Sequence, residues 1–475
     1  MELQATEVVK PEADQACGSH NQINMEDEAI GNLQFFEKND WGTPIVIREK
    51  YLLKMLESLK QATEKPVKSR IQRVPYMLRE NKELKKYCRP SVVAIGPIHH
   101  GHPNFEYGEK MKLILASNFL ESHGIDAKVV YRQVYDNLAK LNMCYAEDVR
   151  KHFSDEALAW MFLVDGCATL HLIDCFVQDY PEHTDDGKLQ RMNIAKEQVA
   201  FAGMDIFLLE NQLPYELLEL LISSVVGQRE QEIIRVSISE FISLSNIFLK
   251  SARKSRKEAT PPCHLLDLLR EEILANFEKT KMIKPANIIN EESPTFHNVK
   301  QLKVSGIQFK PSYTGSLEIS FQQGFFSKLR LPAVIIDELF LSKVLSLVSY
   351  EKCPDFLNDK EVTSYICFMD SLIDHPDDVK VLRKSNILMN FFGSDEEIAQ
   401  LFTRLGNELI PNPFLYANVR YEIEEHYRKT WQPWIYGVIK VFYDYWAMLK
   451  VGAVIAILLT VVQTYFSLPL HRTKP

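Results

Sequence analysis

The sequence predicts a mainly α-helical protein: a single multi-helix domain with a small antiparallel β unit and one C-terminal transmembrane helix. Apolar residues recur at helical spacing along most of the chain, which is typical of packed helices. Two almost continuously apolar stretches, Trp160–Leu172 and Asp205–Leu218, indicate helices buried in a core. The stretch Val451–Leu468 contains no charged residue. We expect three parts: a disordered acidic tail (1–40), the helical domain (41–445), and a membrane anchor with a short tail (446–475).

The composition argues against nucleic-acid binding and against a disulfide scaffold. The 475 residues are 46% hydrophobic and 25% charged, as in ordinary globular proteins. The net charge is −8 and no long basic stripe is visible, so we expect no nucleic-acid partner. The eight cysteines are scattered, which fits reduced thiols. No glycine-rich phosphate loop and no hydrolase motif is present, and we expect no cofactor.

The first 90 residues are strongly charged. Nine acidic residues and only two lysines precede Trp41, and such a segment cannot bury enough apolar surface to fold. The same stretch lacks the basic and apolar regions of a signal peptide. Ile45–Leu59 is amphipathic and predicts a helix. We interpret the basic stretch Lys60–Arg89 as solvated surface, with a patch for anionic lipids as the alternative.

Arg89–Gly101 predicts an extended segment that enters a turn. The apolar run Val92–Ile95 ends at Gly96-Pro97, which is a turn signal. His99, His100 and His102 follow, and imidazole is a common zinc ligand. Adjacent side chains of an extended chain point to opposite sides, however, and no further close Cys/His pair completes a site. We therefore expect local hydrogen bonds and no metal, with a metal-binding turn as the weaker hypothesis.

The remaining helices and strands follow from the spacing of apolar residues. We predict helices at Glu109–Leu120, Val129–Leu141, Trp160–Val177, 192–209, 214–226, Ile233–Leu249, His264–Phe277, Leu339–Tyr350, Val362–Leu372, Asp377–Ile387, Glu396–Leu405 and Phe414–Arg428. Alternating apolar residues predict a small antiparallel unit of Gly306–Lys310, Ser316–Phe321 and Lys328–Val334. Cys167, His171 and Cys175 share a helix face, where we expect buried residues rather than metal ligands.

The two apolar stretches Trp160–Leu172 and Asp205–Leu218 contain three acidic residues: Asp165, Asp205 and Glu210. A buried carboxylate is tolerated only when it is hydrogen-bonded or paired. The structural interpretation gives Asp165 and Glu210 buried hydrogen bonds and has Glu210 and Asn211 cap the helix ends next to Pro214. In the alternative, the three carboxylates meet as an acid/base site. Their spacing in the sequence does not decide between the two, and we assign no catalytic residue.

The uncharged stretch Val451–Leu468 predicts a single-pass membrane anchor. Its eighteen residues would span about 27 Å as a helix, close to the thickness of a bilayer core. Aromatic residues precede it from Trp431 to Trp446, as in an interfacial belt. Because no signal peptide is visible and only a short tail would have to cross, we expect the domain on the cytosolic side. The lipid bilayer is then one partner, and an unknown protein is the other.

The chain resembles the plant proteins of the "domain of unknown function 247" family. The resemblance covers nearly the whole chain after the acidic tail. It is carried mainly by Val92–Gly101 (VVAIGPIHHG), Met161–Cys167 (MFLVDGC), Asp205–Pro214 (DIFLLENQLP), His264–Arg270 (HLLDLLR), Leu302–Lys310 (LKVSGIQFK) and Tyr350–Cys353 (YEKC). Ile98 stands where the family often has an aromatic residue, and Ala168 where phenylalanine is usual.

The resemblance implies a mostly helical domain with a terminal membrane anchor and no established catalytic activity. It also implies a role in protein recognition, since some grass members are linked to pollen-side self-incompatibility. Our main hypothesis is thus a non-catalytic recognition or signalling protein anchored to a membrane. The alternative is an enzyme that uses Asp165, Asp205 and Glu210.

Overall fold

The computed structural model describes residues 35–38, 44–47, 71–150, 153–179, 192, 194–250, 261–275, 277, 297–324 and 327–467. The chain divides into two compact units, Met1–Val67 and Lys68–Pro475. In the first unit, β1 (Phe35–Lys38) pairs with β2 (Pro44–Ile47) as an antiparallel hairpin. The helix predicted from Ile45 is therefore wrong over its first three residues. The rest of that helix, and the acidic tail before residue 35, lie outside the described residues.

Helices dominate the second unit, as predicted. They are α1 (Tyr76–Glu80), α2 (Glu106–Ser122), α3 (Ala127–Asp136), α4 (Leu138–Asn142), α5 (Glu147–Arg150), α6 (Asp155–Asp179), α7 (Lys196–Asp205), α8 (Tyr215–Ser223), α9 (Gln228–Ser245), α10 (Leu265–Leu274), α11 (Val299–Val304), α12 (Phe340–Glu351), α13 (Glu361–Leu372), α14 (Pro376–Lys384), α15 (Asp395–Asn407) and α16 (Ala417–Ser467). Short 3-10 turns lie at Lys85–Cys88, Pro103–Phe105 and Leu209–Asn211.

Helix α6 is the centre of the core. It contacts α2, α3, α7, α8 and α9, and nearly every side chain from Met161 to Cys175 is buried. Gly166 permits the close approach of α8, because a Cβ there would lie 2.4 Å from a methyl carbon of Leu221. Cys167, His171 and Cys175 are all buried on this helix, which agrees with their predicted place in the core.

The small β elements differ from the prediction. Strand β3 (Gln308–Ser312) pairs with β5 (Lys328–Pro332) in parallel, and β4 (Ser320–Gln322) pairs with β5 in antiparallel. The predicted antiparallel unit is thus a mixed sheet with the order β3-β5-β4. Two further strands, β6 (Val334–Ile336) and β7 (Leu388–Asn390), pair in parallel and were not predicted.

Several predicted helix ends are also corrected. The helix expected over 192–209 ends at Asp205, and the one expected to reach Ile387 ends at Lys384 because the chain then enters β7. Helix α8 ends at Ser223 rather than at Val226, and Gly227 (φ +101°) precedes α9.

Helix α16 is 51 residues long and is continuous with the stretch expected to cross a membrane. Its first part contacts the domain, where Ile423 and Glu424 are buried. Among the described residues, the helix long and apolar enough to cross a bilayer is Asp155–Gln178, but it is 78% buried and forms the core. The described apolar part of α16, Gly452–Tyr465, is shorter than a span. The structure thus does not support the predicted C-terminal transmembrane helix, which remains a hypothesis.

Candidate functional site

An extended core segment, residues 91–96, crosses the domain without belonging to a described strand. Its central residues Val93, Ala94 and Ile95 are buried. Buried backbone N–H and C=O groups need hydrogen-bond partners, which a sheet would normally supply. Here they come from a central polar network, which consists of Lys112, Asp165, Asp205, Glu210 and Asn211.

Asp205, at the end of α7, binds the start of the core segment. Its Oδ1 accepts the N–H of Ser91 at 2.8 Å, and its Oδ2 accepts the N–H groups of Val92 and Val93 at 2.7 and 2.9 Å. Burial raises the pKa of Asp205 to about 6, even though the three N–H donors favour the ionised carboxylate. Both of its oxygens are thus used by the backbone.

Asn211 binds the middle of the core segment. Its Oδ1 accepts the N–H of Ile95 at 2.7 Å, and its Nδ2 donates to the carbonyls of Val93 and Asp205, both at 3.0 Å. The neighbouring Gln212 donates to the carbonyl oxygens of Ile206 and Leu208. Because Asp205 is the last residue of α7, Asn211 caps the C-terminal end of that helix, as predicted. The N-cap of α8 is Pro214, and no side chain caps it.

Asp165 and Lys112 form a buried ion pair beside the end of the core segment. Lys112 Nζ lies 2.6 Å from Asp165 Oδ1 and donates to the carbonyl of Ala94 at 2.6 Å, while Asp165 Oδ2 accepts the N–H of Gly96 at 2.8 Å. Burial opposes the charge on Lys112, but the carboxylates of Asp165 and Glu109 outweigh it and raise its pKa. Gly96 has φ +71°, and a Cβ there would meet the carbonyl oxygen of Gln212 at 3.0 Å.

Glu210 connects the histidine turn, which follows the core segment, to Val74. Its Oε1 accepts the N–H of Val74 at 2.8 Å, and its Oε2 lies 2.9 Å from His99 Nε2. Burial acts to raise the pKa of Glu210, but His99 and the Val74 N–H stabilise the carboxylate, and the net shift is downward. Glu210 therefore does not cap a helix; it joins two distant parts of the chain.

The three histidines of the turn have different local partners. His99 contacts Glu210, His100 Nδ1 lies 3.7 Å from Glu109, and His102 Nδ1 accepts the N–H of Asn104. Among the residues that the structure describes, no group of three or more His, Cys, Asp or Glu side chains is placed to hold a metal ion.

A second buried network was not predicted. Arg270 donates to Glu351 Oε1 at 3.1–3.2 Å and also to Glu361. Glu351 in turn accepts the N–H groups of Val362 and Thr363 at the start of α13. The sequence pattern did not predict this network, because Glu351 and Glu361 lie 81 and 91 residues from Arg270 in the sequence. The motifs HLLDLLR and YEKC, which contain Arg270 and Glu351, were the available signal.

Comparison with known proteins places the chain in a family. A family model described as a plant protein of unknown function, domain of unknown function 247, matches residues 71–460. The chain belongs to this family. The Arabidopsis thaliana relative UPF0481 protein At3g47200 is 25% identical over 408 residues, 80% of this chain and 82% of that protein. A second A. thaliana relative, putative UPF0481 protein At3g02645, is 25% identical over 180 residues, 37% of this chain and 34% of that protein. No solved structure matches the chain.

The family motifs of this chain converge on the central polar network. VVAIGPIHHG contains most of the core segment, DGC begins with Asp165, and DIFLLENQLP contains Asp205, Glu210 and Asn211. All three acids were recognised in the sequence. The structure places Asp165 and Asp205 on the core segment, whereas Glu210 binds the N–H of Val74 upstream of it. Lys112 was not predicted to have a role, although it is the cation of the network.

Proposed function

We propose that this plant protein is a non-catalytic recognition or signalling module that is anchored to a membrane. The observation that supports a non-catalytic role is the set of hydrogen bonds made by the three candidate acids. Asp165, Asp205 and Glu210 bind backbone N–H groups at three successive places, Gly96, residues 91–93 and Val74. A general acid or base needs an atom free to exchange a proton with substrate. Carboxylates already used to hold the backbone favour a structural role over the enzyme alternative.

The proposal of a membrane anchor rests on the exposed apolar side chains of α16 and on the uncharged sequence. Its apolar side chains from Val454 to Tyr465 are at least half exposed; Ile457 and Leu459, for example, are each 63% exposed. Soluble proteins rarely expose so many neighbouring apolar residues, and a bilayer would cover them. The described apolar part ends at Tyr465, and the uncharged sequence continues to Leu468.

Carbonate extraction of membranes tests the anchor. We expect the full chain to remain in the membrane pellet and a chain ended after Trp446 to move to the supernatant. A matched control that replaces Leu458→Arg and Val462→Arg places two charges in the apolar stretch and should also release the protein. Release of the full chain, or retention of the shortened one, would contradict the proposal.

A further inference from the structure

Four large apolar side chains are strongly exposed on three segments that hydrogen bonds join. Leu357 is 90% exposed, Ile410 74%, and Tyr76 and Met77 are each 70% exposed. Among the described residues, only Val226 and Phe391 of the large hydrophobics are exposed to a similar degree. Isolated exposed apolar residues are common, but a group of them marks an interaction site.

Hydrogen bonds tie together the three segments that carry these residues. Gln72 Nε2 donates to Asp355 Oδ1 at 2.6 Å, and Asn81 Nδ2 donates to Glu408 Oε1 at 3.0 Å. Lys352 Nζ donates to the backbone carbonyl of Glu408 at 2.7 Å.

The exposed residues lie close to these bonds along the chain. Tyr76 and Met77 fall between Gln72 and Asn81, while Leu357 and Ile410 each follow a bonded residue by two positions. We call Tyr76, Met77, Leu357 and Ile410 the α1 surface.

Several cations follow α1 directly along the chain. Glu80 pairs with Arg79 at 3.6 Å, and Glu83 pairs with Arg404 at 3.1 Å. Within the described part of the chain, the next four cations have no carboxylate at ion-pair distance: Lys82, Lys85, Lys86 and Arg89. An apolar centre beside unmatched cations complements a partner that carries apolar and acidic residues.

We propose that the α1 surface docks an acidic amphipathic segment of a partner protein. The proposal rests on the recognition role proposed above and gives that role a place and a partner chemistry. Tyr76, Met77, Leu357 and Ile410 would bury the apolar side of the segment, and its acidic side would face Lys82 and Lys86. Buried apolar anchors give most of the affinity in such contacts, while surrounding charges select the partner and speed association.

The length of α16 favours a protein over a lipid surface as the occupant. The side chain of His426 still contacts Ser327 of the domain. The apolar part starts at Gly452, which is about 40 Å farther along the helix at 1.5 Å per residue. A bilayer around that part would lie far from the end of the helix that is docked on the domain.

Site-specific photo-crosslinking in the full chain tests the proposal. A benzophenone amino acid would replace Leu357 and, as the control, Phe391, which is 73% exposed, in membranes of plant cells. Crosslinked peptides would then be sequenced. We expect position 357 to capture an acidic segment with apolar residues at least about tenfold more than position 391. The double variant Lys82→Glu, Lys86→Glu should reduce that capture about tenfold, and thermal melts would confirm that it folds.

Other outcomes would overturn the proposal. These are no capture at position 357, equal capture at both positions, capture of lipid, capture of a basic segment, or capture of a second copy identified by isotope mixing. A loss of charge dependence in the double variant would also contradict it. Capture of a protein at position 391 alone would show that the α1 surface is not the docking site, but it would still support a recognition role. Failure of the docking proposal can therefore be distinguished from failure of the proposed function.

Discussion

Three side chains accept backbone N–H groups that a neighbouring strand would otherwise bind: Asp165, Asp205 and Asn211. An extended chain inside a protein ordinarily satisfies its N–H groups across a sheet. In the core segment, side chains from α6, the end of α7 and the turn after it accept those N–H groups instead. Each such contact depends on a specific atom, so an isosteric substitution has a predictable effect.

Asp205→Asn should destabilise the fold more than Glu210→Gln. Asp205 uses both oxygens as acceptors for three N–H donors, and an amide would turn one acceptor into a donor that faces donors. We expect a loss of about 1–3 kcal/mol in the free energy of unfolding. In Glu210→Gln the remaining oxygen can still accept the Val74 N–H, and a neutral His99 can accept from the amide. We expect that loss to stay below about 1 kcal/mol.

Urea unfolding of the full chain in detergent would measure both variants. If Asp205→Asn unfolds at the same urea concentration as the unmodified chain, Asp205 does not hold the core segment, and the enzyme alternative gains support. Hydrogen exchange gives a second readout, because the loss of Asp205 should expose the amides of residues 91–93 before that of Gly96.

Helices were predictable from this sequence, and strands were less so. Helix α6 shows a long apolar pattern that only a buried helix of this length can satisfy, and its existence was confirmed. The parallel pairing of β3 with β5 and of β6 with β7 was missed, since each strand is three to five residues long and its partner lies well away in sequence. Strands this short contain too few residues for the sequence to show which neighbouring strand they pair with.

The contacts of the candidate site were only half predictable. An acid within an apolar run signals a buried hydrogen bond, and Asp165 and Glu210 met that expectation. Nothing in the spacing shows that the partner is backbone more than 60 residues away, such as Gly96 for Asp165. Local reasoning placed Glu210 and Asn211 as helix caps. Asn211 does cap the end of α7, but both residues also bind backbone N–H groups that are distant in the sequence.

Gly108 in α2 is required by the close approach of the core segment. A Cβ at this position would lie 2.1 Å from the carbonyl oxygen of Val92, which is backbone and cannot turn away. We expect Gly108→Ala to lower the free energy of unfolding by at least about 2 kcal/mol, despite the better helix propensity of alanine. Gly452 is the matched control, because it is also helical and a Cβ there meets nothing within 4 Å.

Thermal melts of the two glycine variants in detergent would make the comparison. Gly452→Ala should leave the melting temperature unchanged or slightly higher. Equal melting temperatures for both variants would contradict this prediction, because α2 and the core segment could then separate at little cost in free energy.

The described cysteines bear on the side of the membrane that the domain occupies. Cys88, Cys167, Cys353 and Cys367 are free thiols. Burial raises the pKa of Cys88, Cys167 and Cys353 to about 12, so these thiols stay protonated and unreactive. Proteins that mature in an oxidising compartment commonly carry disulfides, and the chain also lacks any Asn-x-Ser/Thr sequon. On these grounds we propose that the domain faces the cytosol.

Engineered glycosylation sites should therefore be modified only beyond the proposed anchor. Glu292→Thr creates a sequon at Asn290 in the polar stretch 281–294, and a spacer with Asn-Gly-Thr after Pro475 creates one in the tail. For a cytosolic domain we expect the tail site to gain a glycan, visible as a mass shift removed by glycosidase, and Asn290 to gain none. Alanine in place of each threonine is the matched control. A glycan on Asn290 would instead place the domain on the luminal or extracellular side, where a recognition surface would meet secreted or cell-surface partners.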